Sequence, residues 1–249
     1  MAKISNLKIS DYWDINQSLY NQIKNKFIKE ALLFLKQKRE IKKVWEPGAG
    51  PGFWTEFFIS QKFDLTASDI NKIALQENQQ NNPNAKFILG DATEINLNDK
   101  FDLIFAKDVI EHVEDDKKLI NNFEKHLKEN GILFITTQNS FSLNYFLEKI
   151  YHYLKGEKKW FGWDKTHVRF YNFFTLRKFL KQGGFKIIKR FSFYHFPYRA
   201  LTKFLTGKIR EKRIFHLIET TKLNDKFLLN ITGWNIGLIA EKQRKNKFE

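Results

Sequence analysis

A glycine-rich turn between an apolar run and an amphipathic run constrains the fold of this 249-residue chain most strongly. The short run Ile41 to Trp45, which is apolar apart from its two lysines, leads into Glu46-Pro47-Gly48-Ala49-Gly50-Pro51-Gly52, and an amphipathic run, Phe53 to Gln61, follows. That order predicts a strand, a turn and a helix. Glycines allow positive φ and close approach of a ligand, and the helix N-terminus offers free N–H groups. The turn is therefore a predicted ligand site.

The residues of the turn argue against a nucleotide phosphate as the ligand. A P-loop would end in Gly-Lys-Ser/Thr, and a dinucleotide fingerprint would read G-x-G-x-x-G, whereas position 53 is Phe. Pro51 removes one N–H from the turn. Glu46 would repel a phosphate and favour a cationic group. Taken alone, the turn could still be an ordinary tight strand–helix connection.

The spacing of Glu46, Gly48, Gly50 and Gly52 resembles the first motif of the class I S-adenosylmethionine-dependent methyltransferases, Asp/Glu-x-Gly-x-Gly-x-Gly. The resemblance covers the chain from Lys42 to Ile188, with later motifs in the family's order. It implies S-adenosyl-L-methionine as the cofactor, with these four residues at its methionine end. The α/β fold class expected is a doubly wound, Rossmann-like, mostly parallel sheet of about seven strands with an antiparallel edge, plus helical lid insertions.

Two later motifs extend the predicted cofactor site. Asp69 ends a second predicted strand, Asp64 to Asp69, about 20 residues beyond the turn, where a carboxylate can accept hydrogen bonds from a ribose diol. A third predicted strand, Lys86 to Leu89, precedes Asp91 and Ala92, which resemble the family's adenine-facing acid and small residue. The resemblance adds Ile70, after Asp69, to the cofactor-binding set.

The segment after the fourth predicted strand, Lys107-Asp108-Val109-Ile110-Glu111-His112-Val113, resembles the "VLEHV"-type segment of small-molecule methyltransferases. Amino-methylating nucleic-acid enzymes carry Asn/Asp-Pro-Pro-Tyr/Phe there, and C5-methylating enzymes need a cysteine, which this chain lacks. The resemblance adds Lys107 and Asp108 to the cofactor-binding residues. It also makes nucleic acid an unexpected partner.

Two histidines are the candidate catalytic bases for an acceptor hydroxyl, His112 and His167, because imidazole titrates near neutral pH. Alternatively, His112 only orients the cofactor loop and His167 only holds a lid. The run from His167 to Tyr171, H-V-R-F-Y, resembles a subgroup linked to polysaccharide or lipid-linked precursors. Trp163, Arg169 and Tyr171 are therefore predicted substrate-binding residues, although Arg169 could equally form a structural ion pair.

Acidic and imidazole residues also cluster after the fourth strand at Glu111, His112, Glu114 and Asp115. Oxygen ligands there would suit magnesium, and some quinone-biosynthesis relatives use such residues. A charged helix entry explains the same cluster without an ion. No metal site is predicted.

The predicted organisation has two parts. Residues 1–40 form an N-terminal helical segment, and residues 41–249 form the methyltransferase domain, with lid segments at about 140–172 and 197–224. Three further helices are predicted: Asp115–Lys128, which Asn130-Gly131 closes, Ser140–Leu154 and Thr175–Gln182. A fifth strand is predicted over Ile132–Thr137. The antiparallel edge is expected to consist of Lys186–Phe193 and Gly233–Glu241.

The amino-acid composition limits where the protein is expected to be located and which partners it is expected to bind. No run approaches the roughly 18 apolar residues of a membrane span, residues 1–14 lack a signal-peptide core, and cysteine is absent. These features favour a cytoplasmic location. The net charge of +15 permits attraction to nucleic acid, anionic membranes or acidic substrates, but the lysines are spread along the chain, which indicates coding bias.

The stretch from Tyr198 to Leu223 mixes large apolar residues with lysines and arginines. Two interpretations fit. The stretch forms a helical lid whose basic face contacts an anionic membrane surface, as a peripheral contact, or it covers the sheet edge and leaves its lysines in water.

Together these features predict an S-adenosylmethionine-dependent methyltransferase that acts on a small-molecule, glycan or lipid-precursor acceptor, with oxygen as the favoured atom. The alternative is a binding module that kept the cofactor fold but lost the reaction, and that holds RNA or a protein partner. A steep dependence of affinity on salt would distinguish RNA binding.

Overall fold

The structure is a computed structural model that describes residues 19–157, 160, 162, 164–195 and 231–243. In these residues one sheet contains β1 (Lys43–Pro47), β2 (Asp64–Asp69), β3 (Lys86–Leu89), β4 (Phe101–Lys107), β5 (Leu127–Gln138), β6 (Phe185–Phe193) and β7 (Asn235–Lys242). The helices are α1 (Leu19–Lys38), α2 (Phe53–Ser60), α3 (Lys72–Asn81), α4 (Asp116–His126), α5 (Leu143–Leu154) and α6 (Phe173–Gln182), with a short 3₁₀ helix at Ile110–His112.

The strand order of the sheet is β3-β2-β1-β4-β5-β7-β6. Strands β1 to β5 pair in parallel, and β7 lies antiparallel between β5 and β6. The order reverses at β1, which has β2 on one side and β4 on the other. Ligands of such sheets bind at the carboxyl ends of the strands beside this reversal. The predicted doubly wound sheet with an antiparallel edge is confirmed.

Alternate residues of each central strand pack into two different apolar layers, one on each face of the sheet. In β4, Leu103 and Phe105 belong to the layer beneath α1 and α2, whereas Ile104 and Ala106 belong to the layer beneath α4 and α6. All four are at most 1% exposed. Burial of both faces explains why β4 is a continuous apolar run rather than an alternating one.

Several predicted boundaries are wrong, among them the start of α6, which begins at Phe173 rather than at Thr175. The pair Asn130-Gly131 does not close a helix, because α4 ends at His126 and β5 already begins at Leu127. Leu127 pairs with Phe101 of β4, and the pairing then shifts register around Asn130, whose φ is 61°. A left-handed Asn suits such an irregularity as well as a helix end.

The aromatic-rich helix α5 also starts later than predicted. Ser142 is its N-cap, and the Ser142 Oγ accepts a hydrogen bond from the Tyr145 N–H at 3.0 Å. Residues before Ser142 connect β5 to this cap.

Helix α1 lies within the predicted N-terminal helical segment, and α5 lies within the first predicted lid segment. The second predicted lid, at about 197–224, and the basic stretch from Tyr198 to Leu223 lie outside the described residues. None of the helices in the described ranges combines the length and the apolarity needed to cross a bilayer.

The ring of Phe105 provides a test of the layer beneath α2. It lies 5.0 Å from Trp54, 5.2 Å from Phe58 and 5.3 Å from Phe134, measured between ring centroids. We expect Phe105→Ala to lower the free energy of unfolding by about 3–5 kcal/mol, because it leaves a cavity. Phe34→Ala, at a ring that is 53% exposed, is the matched control and should cost less than half as much. Urea unfolding measures both, and equal losses would contradict this assignment of the core.

Candidate active site

The glycine turn at the end of β1 has the backbone that only glycine adopts easily. Gly48, Gly50 and Gly52 have φ values of 70°, 54° and 108°. A Cβ on Gly48 would lie 2.8 Å from a methyl carbon of Val109, and one on Gly52 would collide with Asn78. Gly48 is exposed, whereas Gly50 and Gly52 are buried, and the turn packs tightly against the segments behind it.

A chain of buried side chains supports the turn from behind. The Asn82 amide donates to the Asn78 Oδ1 at 3.1 Å, and the Asn78 amide donates to the Thr55 Oγ1 at 2.8 Å and to the Gly50 carbonyl at 3.2 Å. The Thr55 hydroxyl in turn donates to the Glu46 Oε2 at 2.7 Å. Burial raises the pKa of Glu46 to about 8, against the effect of the Thr55 hydrogen bond. The carboxyl group is thus mostly protonated at neutral pH until a cation approaches it.

Asp69, the last residue of β2, connects the glycine turn after β1 to the segment after β3 by hydrogen bonds. Its Oδ2 accepts the Gly50 N–H at 2.7 Å, and its Oδ1 accepts the Asn71 N–H at 2.7 Å. Burial raises the pKa of the Asp69 carboxyl, although these backbone N–H groups oppose the shift. The Asp69 carbonyl accepts the Gly90 N–H at 3.0 Å, so the segment that contains Asp91 is fixed beside it.

The other predicted cofactor residues after β2 and β3 lie at the same edge. Ile70 follows Asp69 directly, and both Ile70 and Ala92 are half-buried. The Asp91 Oδ1 accepts the Thr93 N–H at 2.8 Å, and the Ala92 carbonyl accepts the Asn122 amide at 2.9 Å. These bonds hold the backbone after β3 in one conformation.

Two lysines surround Asp108 at the end of β4. The Asp108 Oδ2 lies 2.8 Å from the Lys107 Nζ and 3.1 Å from the Nζ of Lys24, which comes from α1, and its Oδ1 accepts the Thr136 hydroxyl at 2.8 Å. Burial alone would raise the pKa of Asp108, but the two lysines hold it well below its usual range. Burial lowers the pKa of Lys24 to about 8 despite the Asp108 charge. Asp108 is therefore the ionised carboxylate of this edge.

The two histidines predicted as bases are brought together across 55 residues of chain separation. The ring centroids of His112 and His167 lie 4.7 Å apart. Glu111, which is fully buried, lies beside them and accepts the Thr137 hydroxyl at 2.9 Å through Oε2, while its Oε1 makes no hydrogen bond. Burial and the nearby Asp108 raise the pKa of Glu111 to about 7.

Glu111, His112 and His167 each offer one ligand atom, and these atoms lie within 4.8 Å of one another. No metal site was predicted from the sequence, and the acidic cluster considered there differs, since it contained Glu114 and Asp115 but not His167. Two imidazoles and one carboxylate suit a transition metal better than magnesium. The arrangement could hold an ion or, equally, exchange protons.

The protonation of His112 follows from its hydrogen bonds. The Thr166 Oγ1 donates its single proton to the Asp164 Oδ1 at 2.6 Å, so at 2.8 Å from the His112 Nδ1 it must accept. The proton of His112 is then on Nδ1, and Nε2 carries a lone pair. Burial lowers the pKa of His112, although Asp164 and Asp108 oppose the shift, so the ring is neutral at pH 7. His167, by contrast, has its Nε2 3.1 Å from the Gln138 amide nitrogen.

Two of the predicted substrate-binding residues are engaged with α4. The Tyr171 hydroxyl donates to the Asp116 Oδ2 at 2.6 Å, and the Arg169 guanidinium pairs with the same carboxylate and with the Glu114 carbonyl. Their role in substrate binding stays a prediction. Trp163 lies outside the described residues.

Sequence reasoning missed four residues of the site: Lys24, Asn78, Asp164 and Thr166. Lys24 is 84 positions from its partner Asp108, and nothing local distinguishes it from the other lysines of α1. Asn78 and Asn82 are four positions apart in α3, a spacing that places both on one helix face. The i, i+4 spacing of Asn78 and Asn82 was the one feature of the sequence that could have indicated a polar contact there.

Residues 20–190, well over half of the chain, match the family model described as "Methyltransferase domain". The chain therefore belongs to this methyltransferase family, and the resemblance to the S-adenosylmethionine-dependent class is confirmed. Membership of this family favours an enzyme over the alternative of a non-catalytic binding module.

Several of the similar curated proteins carry names of O-methyltransferases, and another is "Ribosomal RNA small subunit methyltransferase C" of Buchnera aphidicola, 29% identical over 132 residues, which are 47% of this chain and 39% of that protein. One of the O-methyltransferases is "Ubiquinone biosynthesis O-methyltransferase" of Rickettsia canadensis, 30% identical over 112 residues, which are 42% of this chain and 46% of that protein. Another is "Malonyl-[acyl-carrier protein] O-methyltransferase" of Calditerrivibrio nitroreducens, 33% identical over 123 residues, which are 47% of this chain and 48% of that protein. The matches thus span about half the length of these relatives.

Solved structures agree in fold. Magnesium protoporphyrin IX methyltransferase from Synechocystis, which has S-adenosylhomocysteine bound, has a TM-score of 0.62 at 14% identity and covers 90% of this chain and 85% of its own. An S-adenosylmethionine-dependent methyltransferase from Clostridium acetobutylicum has a TM-score of 0.61 at 15% identity, and covers 94% of this chain and 99% of its own. At these identities the likeness shows the fold alone.

The raised pKa of Glu46 predicts a pH dependence of stability. An acid whose folded pKa, about 8, lies above its unfolded pKa, about 4.3, stabilises the fold below the unfolded value. This stabilisation is lost as pH rises through the folded pKa. The free energy of unfolding should therefore fall between about pH 5 and pH 8, by at most about 1.4 kcal/mol per pH unit from this group. Glu46→Gln, which cannot ionise, should show a flatter curve.

Urea unfolding of both proteins at several pH values gives this difference. Glu94→Gln, at an exposed acid, is the control and should keep the wild-type slope. Parallel curves for Glu46→Gln and the wild type would mean that Glu46 is ionised in the fold.

Proposed function

We propose that this chain transfers the methyl group of S-adenosylmethionine to a hydroxyl oxygen of a small-molecule acceptor. The observation that carries the proposal is the convergence of the glycine turn, Asp69, Asp91 and the His112–His167 pair at the carboxyl edge of one sheet. The names of the O-methyltransferase relatives support oxygen as the acceptor atom. A quinone precursor, an acyl-carrier-bound acid, a glycan or a lipid-linked precursor fits this class, and the proposed location is the cytoplasm.

The residues of the carboxyl edge fit this cofactor. Bare backbone at Gly48, Gly50 and Gly52 allows close approach to its methionine end, and the Glu46 carboxyl ionises as a cationic group nears it. Asp69, next to Ile70, keeps acceptor capacity for a ribose diol, because each carboxylate oxygen has a second lone pair beyond its backbone bond. Asp91 and Ala92 flank the place of the adenine, and Lys107 and Asp108 close the crevice on the β4 side. When bound, the cofactor supplies an electrophilic methyl group on a good leaving group.

His112 is the proposed base. Its Nε2 is unprotonated in the tautomer set by Thr166 and Asp164, and it can therefore take the proton of the acceptor hydroxyl as the oxygen forms its bond to the methyl carbon. Burial by itself would raise the pKa of Asp164, but its hydrogen bonds to Thr166 lower it below its ordinary value, so it stays ionised and stabilises the imidazolium through the hydroxyl. His167 packs against the same ring and limits its rotation.

Labelled methyl transfer tests the proposed activity. The purified protein, incubated with methyl-labelled S-adenosylmethionine and a cell extract, should transfer label to a small molecule whose mass increases by one methylene unit. Asp69→Ala should lower affinity for S-adenosylhomocysteine at least tenfold in isothermal titration, because buried polar partners lose a bond. Asp64→Ala, at the exposed start of the same strand, is the control and should bind like the wild type.

Two outcomes would contradict the proposal in different ways. Absence of heat with S-adenosylhomocysteine for the wild type would remove the cofactor assignment. Normal binding with no labelled product from any extract would remove the proposed reaction and return the chain to the class of binding modules.

The tautomer of His112 can be measured without knowing the acceptor. In ¹⁵N NMR of the imidazole nitrogens at pH 7.5, His112 should carry its proton on Nδ1 and titrate with a pKa below 6.5. Thr166→Val should abolish the Nδ1 preference, whereas Thr166→Ser, which keeps the hydroxyl, should restore it. Once an acceptor is known, His112→Ala should lower kcat about 10²–10⁴-fold with unchanged affinity for S-adenosylhomocysteine. An Nε2–H tautomer in the wild type would rule out this base.

A further inference from the structure

Helix α5 has the opposite polarity from an ordinary surface helix. Its buried residues are polar, Asn144 and Glu148, and its large apolar side chains point outward. The exposed fractions are 49% for Leu143, 59% for Phe146, 41% for Ile150, 74% for Tyr153 and 79% for Leu154. A surface helix of a globular protein normally shows the reverse arrangement.

The outward apolar residues form one continuous face. With 3.6 residues per turn, the five positions fall in a sector about 100° wide, and the buried polar positions lie opposite it. Phe141, just before the helix, and Phe174, at the start of α6, extend the face, since their rings lie 6.3 Å apart and are 55% and 56% exposed. We call this set the α5 apolar face: Phe141, Leu143, Phe146, Ile150, Tyr153, Leu154 and Phe174.

The attachment of α5 to the fold does not use this face. The Asn144 amide donates to the Tyr194 carbonyl at 3.0 Å, whereas the buried Glu148 has its Oε2 3.7 Å from the Nε2 of His152 in the same helix. On the inner side the Tyr145 ring packs on Phe170, at 4.8 Å between centroids. An exposed apolar patch of this kind is typical of a surface that contacts another partner.

The charges around the face are basic. Lys149 and Lys155 are exposed on and just after α5, and Arg177 and Lys178 are exposed three and four positions after Phe174, on the same side of α6. The Lys155 Nζ lies 4.5 Å from the centre of the Tyr151 ring, so its stem follows an aromatic surface while its charge stays in water. The acid at the end of the helix, Glu157, is paired with His152 at 2.9 Å.

We propose that the α5 apolar face docks on an anionic membrane surface. Apolar side chains bordered by cations match the boundary between acyl chains and anionic headgroups. A second copy of the chain fits less well, because a symmetric contact would bring the same cations together. This surface is distinct from the stretch Tyr198 to Leu223, whose predicted membrane contact lies outside the described residues.

The position of the face relates it to the histidine pair. The Phe170 ring, which packs on Tyr145 of α5, lies 5.7 Å from the His167 ring. A membrane on the outer side of α5 would therefore be one helix away from His112 and His167. The docking proposal does not depend on the methyl-transfer proposal, since a vesicle assay needs neither cofactor nor acceptor.

Vesicle co-sedimentation of the full chain tests the proposal. At low salt the wild type should sediment with vesicles of phosphatidylcholine mixed with phosphatidylglycerol, and much less with phosphatidylcholine alone. Phe146→Glu combined with Ile150→Glu should weaken binding about tenfold or more, because two apolar side chains no longer enter the bilayer. Ile73→Glu is the matched control, as Ile73 is 61% exposed on α3, away from the face, and should bind like the wild type.

Lys149→Gln with Lys178→Gln should weaken binding about fivefold per charge, in anionic vesicles only.

Three results would overturn the proposal. The first is equal sedimentation of the wild type with and without anionic lipid. The second is a concentration-dependent dimer, seen by sedimentation velocity and lost in Phe146→Glu with Ile150→Glu, which would assign the face to a second copy. The third is unchanged vesicle binding of that variant with a drop in its melting temperature, which would mean that another part of the same chain covers the face.

Discussion

The need to pair buried carboxyl groups controls the structure of the carboxyl edge of the sheet. Glu46, Asp69 and Glu111 are buried and Asp108 is partly buried, and an unpaired charge in such a place would cost several kcal/mol. Each group accepts at least one hydrogen bond or ion pair from an element other than its own or from the turn it supports, although the Glu111 Oε1 accepts none. Thr55 of α2 donates a hydrogen bond to Glu46, the Gly50 N–H donates to Asp69, and Thr137 of β5 donates to Glu111. The pairing requirement therefore joins the separate strand ends into one site.

These pairings also give three of the four groups different protonation states. Asp108 stays ionised because two lysines face it, whereas Glu46 and Glu111 take up protons near neutral pH because burial dominates. Among these three groups, Asp108 is ionised beside Lys24 and Lys107, and Glu46 and Glu111 are carboxyl groups that can become charged as a cation approaches. A crevice of this kind stabilises a positively charged ligand without holding an unpaired charge before binding.

Helix α1 belongs to the site in spite of its distance in sequence. Lys24 reaches Asp108 from α1, and the helix also packs on the sheet through Ile28, Leu32 and Leu35. Loss of the ion pair with Lys24 would leave Lys107 as the one cation described beside Asp108. The position of α1 therefore affects the net charge around Asp108. Helix α1 is in this sense a part of the same structural unit as the sheet.

The sequence by itself determined the order of the strands and helices, the glycine turn and the cofactor motifs, because these depend on local patterns. Apolar runs mark strands buried on both faces, and glycines mark backbone that must adopt positive φ. It did not place the boundary between α4 and β5, since Asn130 is equally suited to a helix end and to an irregular strand. The tertiary structure alone decided the partners of Lys24, the chain from Asp164 to His112, and the outward apolar face of α5. Those features join residues far apart in sequence, or depend on which side of a helix meets the fold, and both are set only when the elements pack.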